Sequence, residues 1–350
     1  MQKTRVIYLD LLKIMAAIFV VFNHYSYFVT TNSFFSNIVM TIMFVICKVA
    51  VPIFIMVSGA LILSKKITYK EIFTKRIFRI IVPLFIVSII FTFEYSGGIN
   101  FNNILLFILS LFMDTGNNFI PYWLWYLYAL IGLYIMTPFL KKMVLKFDKK
   151  DYKMFILFFV IGVGVLNLIS SIILVFFGKS YAFNSSFMNT IFSNTVGLYV
   201  LGYYLYNSKV SDKLKNYSWI ILICSLIFGV IFTYYGVFYK GYIYNDIAVW
   251  WNLFTVLASG AIFVLFKYYF SDLKLSDRLR KFVYEFSNTS FGIYLIHPLL
   301  YEVLMNASFI NAIILKNTIL GCLSMCIIGI TTISIFVWLL RKIPLFRKFL

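Results

Sequence analysis

Charge is what this chain has least of. Only 12% of its 350 residues are charged, against 62% hydrophobic and 21% aromatic, with a mean hydropathy of +0.93. A water-soluble enzyme of this size carries about twice that charge fraction, so a soluble fold is excluded. Acidic residues are scarcer still, 12 against 31 Lys and Arg, and the only two histidines are His24 and His297. The choice of a neutral-pH base is therefore narrow, and His24 is the better candidate. The four cysteines, Cys47, Cys224, Cys322 and Cys326, lie within apolar segments and show no CxxC spacing, so neither a disulfide framework nor a zinc site is indicated. GxSxG, Walker, HExxH and aspartate-rich sugar-phosphate motifs are missing, as is a close carboxylate pair of the glycosidase kind. Of the carboxylates, Glu94, Asp114, Asp246 and Glu302 fall at or near the outer face. No metal site, internal repeat, low-complexity segment or domain linker is visible.

What is there is a succession of apolar runs. They lie near 7–29, 38–63, 77–95, 119–140, 153–177, 187–207, 217–238, 246–267, 285–305 and 313–340, each long enough to cross about 30 Å as a helix. Asn103 to Met113 is about half a span and reads as interfacial or re-entrant. The first run is too long for a signal peptide core and lacks a small-residue cleavage site, so it stays in the mature chain. A net charge of +19 would suggest nucleic acid in a soluble protein. Here the basic residues sit between the runs and set topology instead. With the N-terminus in the cytoplasm, 27 of the 31 Lys and Arg fall on inner segments; Lys48 lies inside the second span, and Lys179, Lys240 and Lys316 on outer loops. The expectation is an all-α polytopic protein of about ten transmembrane helices, both termini cytoplasmic. It forms one membrane domain over residues 1–350, surrounded by membrane lipids and without a nucleic-acid partner. The preponderance of Lys over Arg, with abundant Ile, Phe, Tyr and Asn, points to an AT-rich bacterial genome.

A charge at bilayer depth costs several kcal/mol unless paired or hydrated, so polar residues within spans are functional candidates. In the first span Asp10, Lys13, Asn23 and His24 interrupt the apolar run. Lys13 and His24 are 11 residues apart, which puts them about 20° from eclipsed and about 16 Å apart along a helix. The bland alternative has Lys13 snorkelling to the headgroups and His24 bonding a neighbouring helix. The third span opens with Lys75, Arg76 and Arg79; the i, i+3 spacing places both guanidiniums on one side, suited to a phosphorylated ligand from the cytoplasm or simply to topogenic charge. In Val51 to Gly59, Pro52 frees a carbonyl and Ser58-Gly59 permits close helix approach. Trp123, Trp125, Tyr126 and Tyr128 form an aromatic belt, and a sugar-stacking surface would use the same residues. His297 precedes Pro298 and reads first as a structural donor to the backbone that the proline opens.

These elements, taken in order, resemble the integral membrane acyltransferase 3 family of bacterial envelope O-acetyltransferases. Lys13-x10-His24 is similar to its basic-x10-His motif, Pro52 to Gly59 to its Pro-x-Phe-Phe-x-x-Ser-Gly element, and Arg76-x-x-Arg79 before Pro83 to its Arg pair. Trp125 to Tyr134 with Pro138 resembles its Trp-to-Tyr helix, and Ser290 to Pro298 its late Tyr-Leu-x-His element. Two positions depart. The basic residue, usually Arg, is Lys13, so a bidentate role does not carry over. Leu130 stands where some members have Glu, so no catalytic acid carries over there.

The resemblance implies an O-acyltransferase of a bacterial cell membrane without an appended SGNH domain. It would move an acetyl group from cytoplasmic acetyl-CoA to a hydroxyl of an envelope polysaccharide or lipid-linked saccharide, with no metal. His24 would act as base or acyl carrier and Lys13 would assist the donor. Arg76 and Arg79 would hold the coenzyme A phosphates, with Trp123, Trp125 and Ser58 toward the acceptor. A transporter or flippase for an envelope precursor is the main alternative; a lipid-phosphate glycosyltransferase and a structural subunit are weaker ones.

Overall fold

The computed structural model describes residues 5–25, 33–95, 104–113, 120–179, 194–243, 252–307, 313–314 and 316–350. Lys3, Asp114, Asp246 and the first part of the run expected at 187–207 lie outside them. Among the described residues the secondary structure is helical, with no strand, as expected for an all-α chain. In order the helices are α1 (Ile7–Tyr25), α2 (Phe34–Cys47), α3 (Ala50–Leu63), α4 (Tyr69–Phe93), α5 (Ile104–Ser110), α6 (Tyr122–Val144), α7 (Lys149–Phe177), α8 (Asn194–Asn207), α9 (Asp212–Tyr239), α10 (Leu253–Phe270), α11 (Asp277–Met305), α12 (Thr318–Leu340) and α13 (Pro344–Phe349).

Eight stretches are long and apolar enough to cross a membrane: α1, α2 with α3, α4, α6, α7, α9, α10 and α12. Helix α11 has the length, at 29 residues, but carries charges at both ends. Helix α5 is seven residues long, shorter than the half-span expected over Asn103 to Met113 and too short to cross a membrane. The chain is therefore a multi-pass membrane protein. Side-chain placement in α9 says the same. Its small residues Ser218, Ser225, Gly229 and Thr233 are buried, while Ile220, Ile223, Ile227, Phe228 and Ile231 are exposed. Large apolar groups outside and small ones inside is the arrangement of a helix that has lipid for solvent and packs by close approach.

Two helix starts differ from expectation because of capping. Thr68 and Glu71 form a reciprocal capping box, so α4 begins eight residues before the expected 77. Arg76 and Arg79 therefore lie within the helix rather than at its opening. Asp148 and Asp151 do the same for α7, satisfying first-turn N–H groups that have no intrahelical partner. The expected single span 38–63 is broken at Lys48 and Val49. Pro52 has no N–H for the carbonyl four residues back, that of Lys48, and its ring crowds it.

The chain divides into two compact units, Met1–Lys65 with Leu140–Trp338, and Lys66–Phe139 with Leu339–Leu350. In the first, α1 packs on α11 and α3, and α3 on α8. The α3–α8 contact is set by glycines: a Cβ at Gly59 would fall 1.9 Å from the Tyr199 carbonyl oxygen, and one at Gly202 2.0 Å from that of Met56. Ala17, Val21, Tyr25, Ile293, Met325, Cys326, Ile333 and Val337 form a core where α1, α11 and α12 meet. Lys267 of α10 donates to the carbonyls of Leu205, Tyr206 and Ser208 at 2.9, 2.7 and 2.5 Å, capping the C-terminal end of α8 with a cation, as the helix dipole favours. In the second unit, Phe85 of α4 packs on Phe107 of α5 at 6.0 Å and Phe78 on Phe349 of α13 at 5.9 Å.

Candidate functional site

The last turn of α1 carries His24, and α11 brings His297 to it. The ring centroids are 4.8 Å apart with 60° between planes. His297 is fully buried, at 0% exposure. Pro298 explains its orientation: lacking an N–H, it leaves the Tyr294 carbonyl without its helical donor, and His297 Nδ1 lies 2.8 Å from that oxygen. The bond foreseen from the sequence is present, and the same ring also stands against His24, which the sequence pattern does not reveal. Tyr25 holds the assembly from the other side. Its hydroxyl donates to the His297 carbonyl at 3.1 Å, and its ring fills the space a Cβ on Gly329 would occupy, 2.2 Å from the nearest ring atom.

Lys48, placed inside the second span by the sequence, was given no site role there. It sits in the break between α2 and α3, 2% exposed, with its ammonium 4.2 Å from the centre of the Phe44 ring, a cation–π contact in an apolar setting. It interacts electrostatically with His24. A lysine four residues ahead of a proline in mid-span was the available signal.

Lys13 belongs to a second polar group at the other end of α1. Its ammonium is 3.5 Å from Asp10. Arg5 donates twice to the same carboxylate, at 2.8 and 3.2 Å, and Ser287 of α11 at 2.5 Å. Arg5 also reaches Asn288 Oδ1 at 3.1 Å and lies 4.7 Å over the Tyr284 ring. Asp10 is 3% exposed and is therefore a buried, well-satisfied carboxylate joining α1 to α11. The charge on Lys13 is shared with it rather than directed to a ligand alone. Ser58 is half-buried, next to the glycine that packs α3 on α8.

In the second unit, Arg76 lies in a π-helical turn, Ile72–Ile77, of the kind often found at functional sites. Arg76 is half-buried and Arg79 exposed, and Tyr134 of α6 interacts electrostatically with both. Pro83 and Pro138 lie inside their helices, and their missing N–H groups release the carbonyls of Arg79 and Tyr134. Lys75 pairs instead with Glu71, 3.2 Å away. Trp123 is 6% exposed, edge-on to Phe91 and Tyr122 at 5.4 Å each, which favours packing for that ring. Trp125 is half-buried, while Tyr122 and Tyr128 are exposed. Among the described residues no cluster of His, Cys, Asp and Glu could hold a metal ion.

A lipid-facing helical bundle with two imidazoles and a lysine in its interior defines a class, the multi-pass membrane proteins with an internal polar centre. Residues 6–341 match the acyltransferase domain; the chain belongs to the acyltransferase 3 family and is a membrane acyltransferase. No curated protein and no solved structure matches it.

Proposed function

We propose that this acyltransferase moves an acetyl group from acetyl-CoA to a hydroxyl of a bacterial envelope polysaccharide or lipid-linked saccharide, at the plasma membrane. The observation that carries the reading is the His24–His297 pair, a basic centre held within the bundle and 4.8 Å between rings. In the reaction the acceptor oxygen bonds to the thioester carbonyl carbon, its proton passes to His24, and the C–S bond breaks with its electron pair on sulfur. The imidazolium then returns the proton to the thiolate. General-base assistance of this kind contributes about 10²–10⁴-fold.

Arg76 and Arg79 supply forked donors for the coenzyme A phosphates, with the Lys13 cation assisting the donor. Trp125 offers an aromatic face for a sugar ring; Trp123 and Ser58 are the further acceptor-binding residues that the family resemblance suggests. The test is purified protein in lipid nanodiscs with radiolabelled acetyl-CoA and envelope saccharides from the source cells. Label entering the saccharide supports the reading, and His24→Ala is expected to abolish it. Saccharide crossing the bilayer without acetylation would favour the transporter alternative, and full activity of His24→Ala would remove that residue from the mechanism.

A further inference from the structure

His297 does more than close a gap in the α11 ladder. A carbonyl oxygen has no hydrogen to give, so the 2.8 Å contact with Tyr294 requires the hydrogen to be on Nδ1, which leaves Nε2 with a lone pair. That nitrogen is buried and has no hydrogen-bond partner among the described residues. An acceptor left so inside an apolar bundle costs free energy of desolvation. The ring it belongs to stands 4.8 Å, centroid to centroid, from His24. Tyr25, bonded to the His297 carbonyl, is the residue next to His24, so the two rings are tied together through adjacent backbone.

We propose that His297 is the positioning partner of His24: its Nε2 accepts a ring N–H of His24 and leaves the other His24 nitrogen as the base that takes the acceptor hydroxyl proton. The role resembles that of the carboxylate in a hydrolase triad, performed by a neutral ring whose tautomer is locked by its own helix. When His24 carries the proton, the accepting lone pair stabilises the imidazolium. When the thiolate takes the proton back, the pair returns to its starting state, so no further reactant is consumed. Contacts of this kind commonly lengthen in the unliganded enzyme and tighten around the substrate. Among the described residues, the charged and titratable groups bearing on the pair include Lys48, Tyr25 and Tyr294.

The proposal rests on the acetyl-transfer reading and is separable from it. Asparagine at 297 keeps an N–H for the Tyr294 carbonyl but has nothing at the Nε2 position; glutamine places its amide oxygen near Nε2 and gives up the backbone bond. His297→Asn is expected to lose about tenfold or more in kcat, with KM for acetyl-CoA unchanged. His297→Gln is expected to retain more kcat than His297→Asn. Wild-type turnover by His297→Asn, or equal losses in both variants, overturns the proposal and leaves the transfer reading standing; a wild-type protein that transfers no acetyl group overturns both. A second measurement does not depend on turnover. With two histidines in the chain, ¹⁵N NMR of histidine-labelled protein, assigned with His24→Gln, is expected to show His297 protonated at Nδ1 and bare at Nε2. The opposite tautomer overturns the proposal.

Discussion

Replacing Gly59 by alanine tests the helix contact on which the first unit is built. The new Cβ would lie 1.9 Å from the Tyr199 carbonyl oxygen and 2.7 Å from its carbon, where Cβ contacts below 3.0 Å are essentially never seen. Helices α3 and α8 must therefore part by about 1.1 Å. Both obstructing surfaces are main chain, so no rotamer change relieves the clash. Overpacking that side chains can absorb costs about 1–3 kcal/mol; with backbone on both sides the expected cost is at the upper end, about 3 kcal/mol, or roughly a hundredfold in the folding equilibrium. Gly202→Ala meets Met56 at 2.0 Å and should behave alike. Because either substitution opens the same gap, the double variant is expected to cost less than the sum of the two. Gly132→Ala is the control: nothing lies within 4 Å of its Cβ, and alanine should gain about 0.5–1 kcal/mol there. The chain carries its own reporters, since Cys47, Cys322 and Cys326 are buried free thiols. With exposed Cys224 changed to serine, a thiol-reactive dye followed during heating in detergent reads the unfolding midpoint. A Gly59→Ala protein that melts with wild type, or costs that simply add, would refute the reasoning.

Lys48→Met is close in shape and removes a buried charge, so the melting temperature is expected to hold or rise while turnover falls about tenfold; unchanged turnover would take Lys48 out of the chemistry. Asp10→Asn weakens the charged hydrogen bonds from Arg5 and Ser287, worth about 1.5–3 kcal/mol each, and should lower the melting temperature; a wild-type melt would mark the cluster as energetically idle. Arg76→Ala with Arg79→Ala should raise KM for acetyl-CoA roughly tenfold or more with the fold intact, and an unaltered KM would return both arginines to a topogenic role.

Most of the fold was legible because lipid imposes a simple rule: each span must be apolar over about 20 residues, and short polar punctuation separates the spans. The capping boxes at Thr68 and Asp148 could also have been seen, since the side chains that start those helices are three residues apart in the sequence. The site was legible only where its parts share a helix. His24 and Lys13 lie on one regular α1, so their spacing could be worked out. The neighbour of His24 comes from a helix more than 250 residues later, and no periodicity relates the two. Lys48 was visible inside the second span, but its sequence neighbours, largely apolar, gave no sign that it lies near His24. The ion cluster around Asp10 needed α11 to supply Ser287 and Asn288, so Lys13 looked like an isolated cation until its neighbours were placed.

Pro298 has no side-chain function to offer a reaction, yet it decides where a hydrogen resides. Any other amino acid at that position would restore an amide to the ladder and compete with the neighbouring imidazole for a single oxygen. The ring would then be at liberty to carry its proton on either side. The acid–base character of this enzyme's interior is written partly in a missing N–H, and a substitution that looks like a repair of the helix would scramble it.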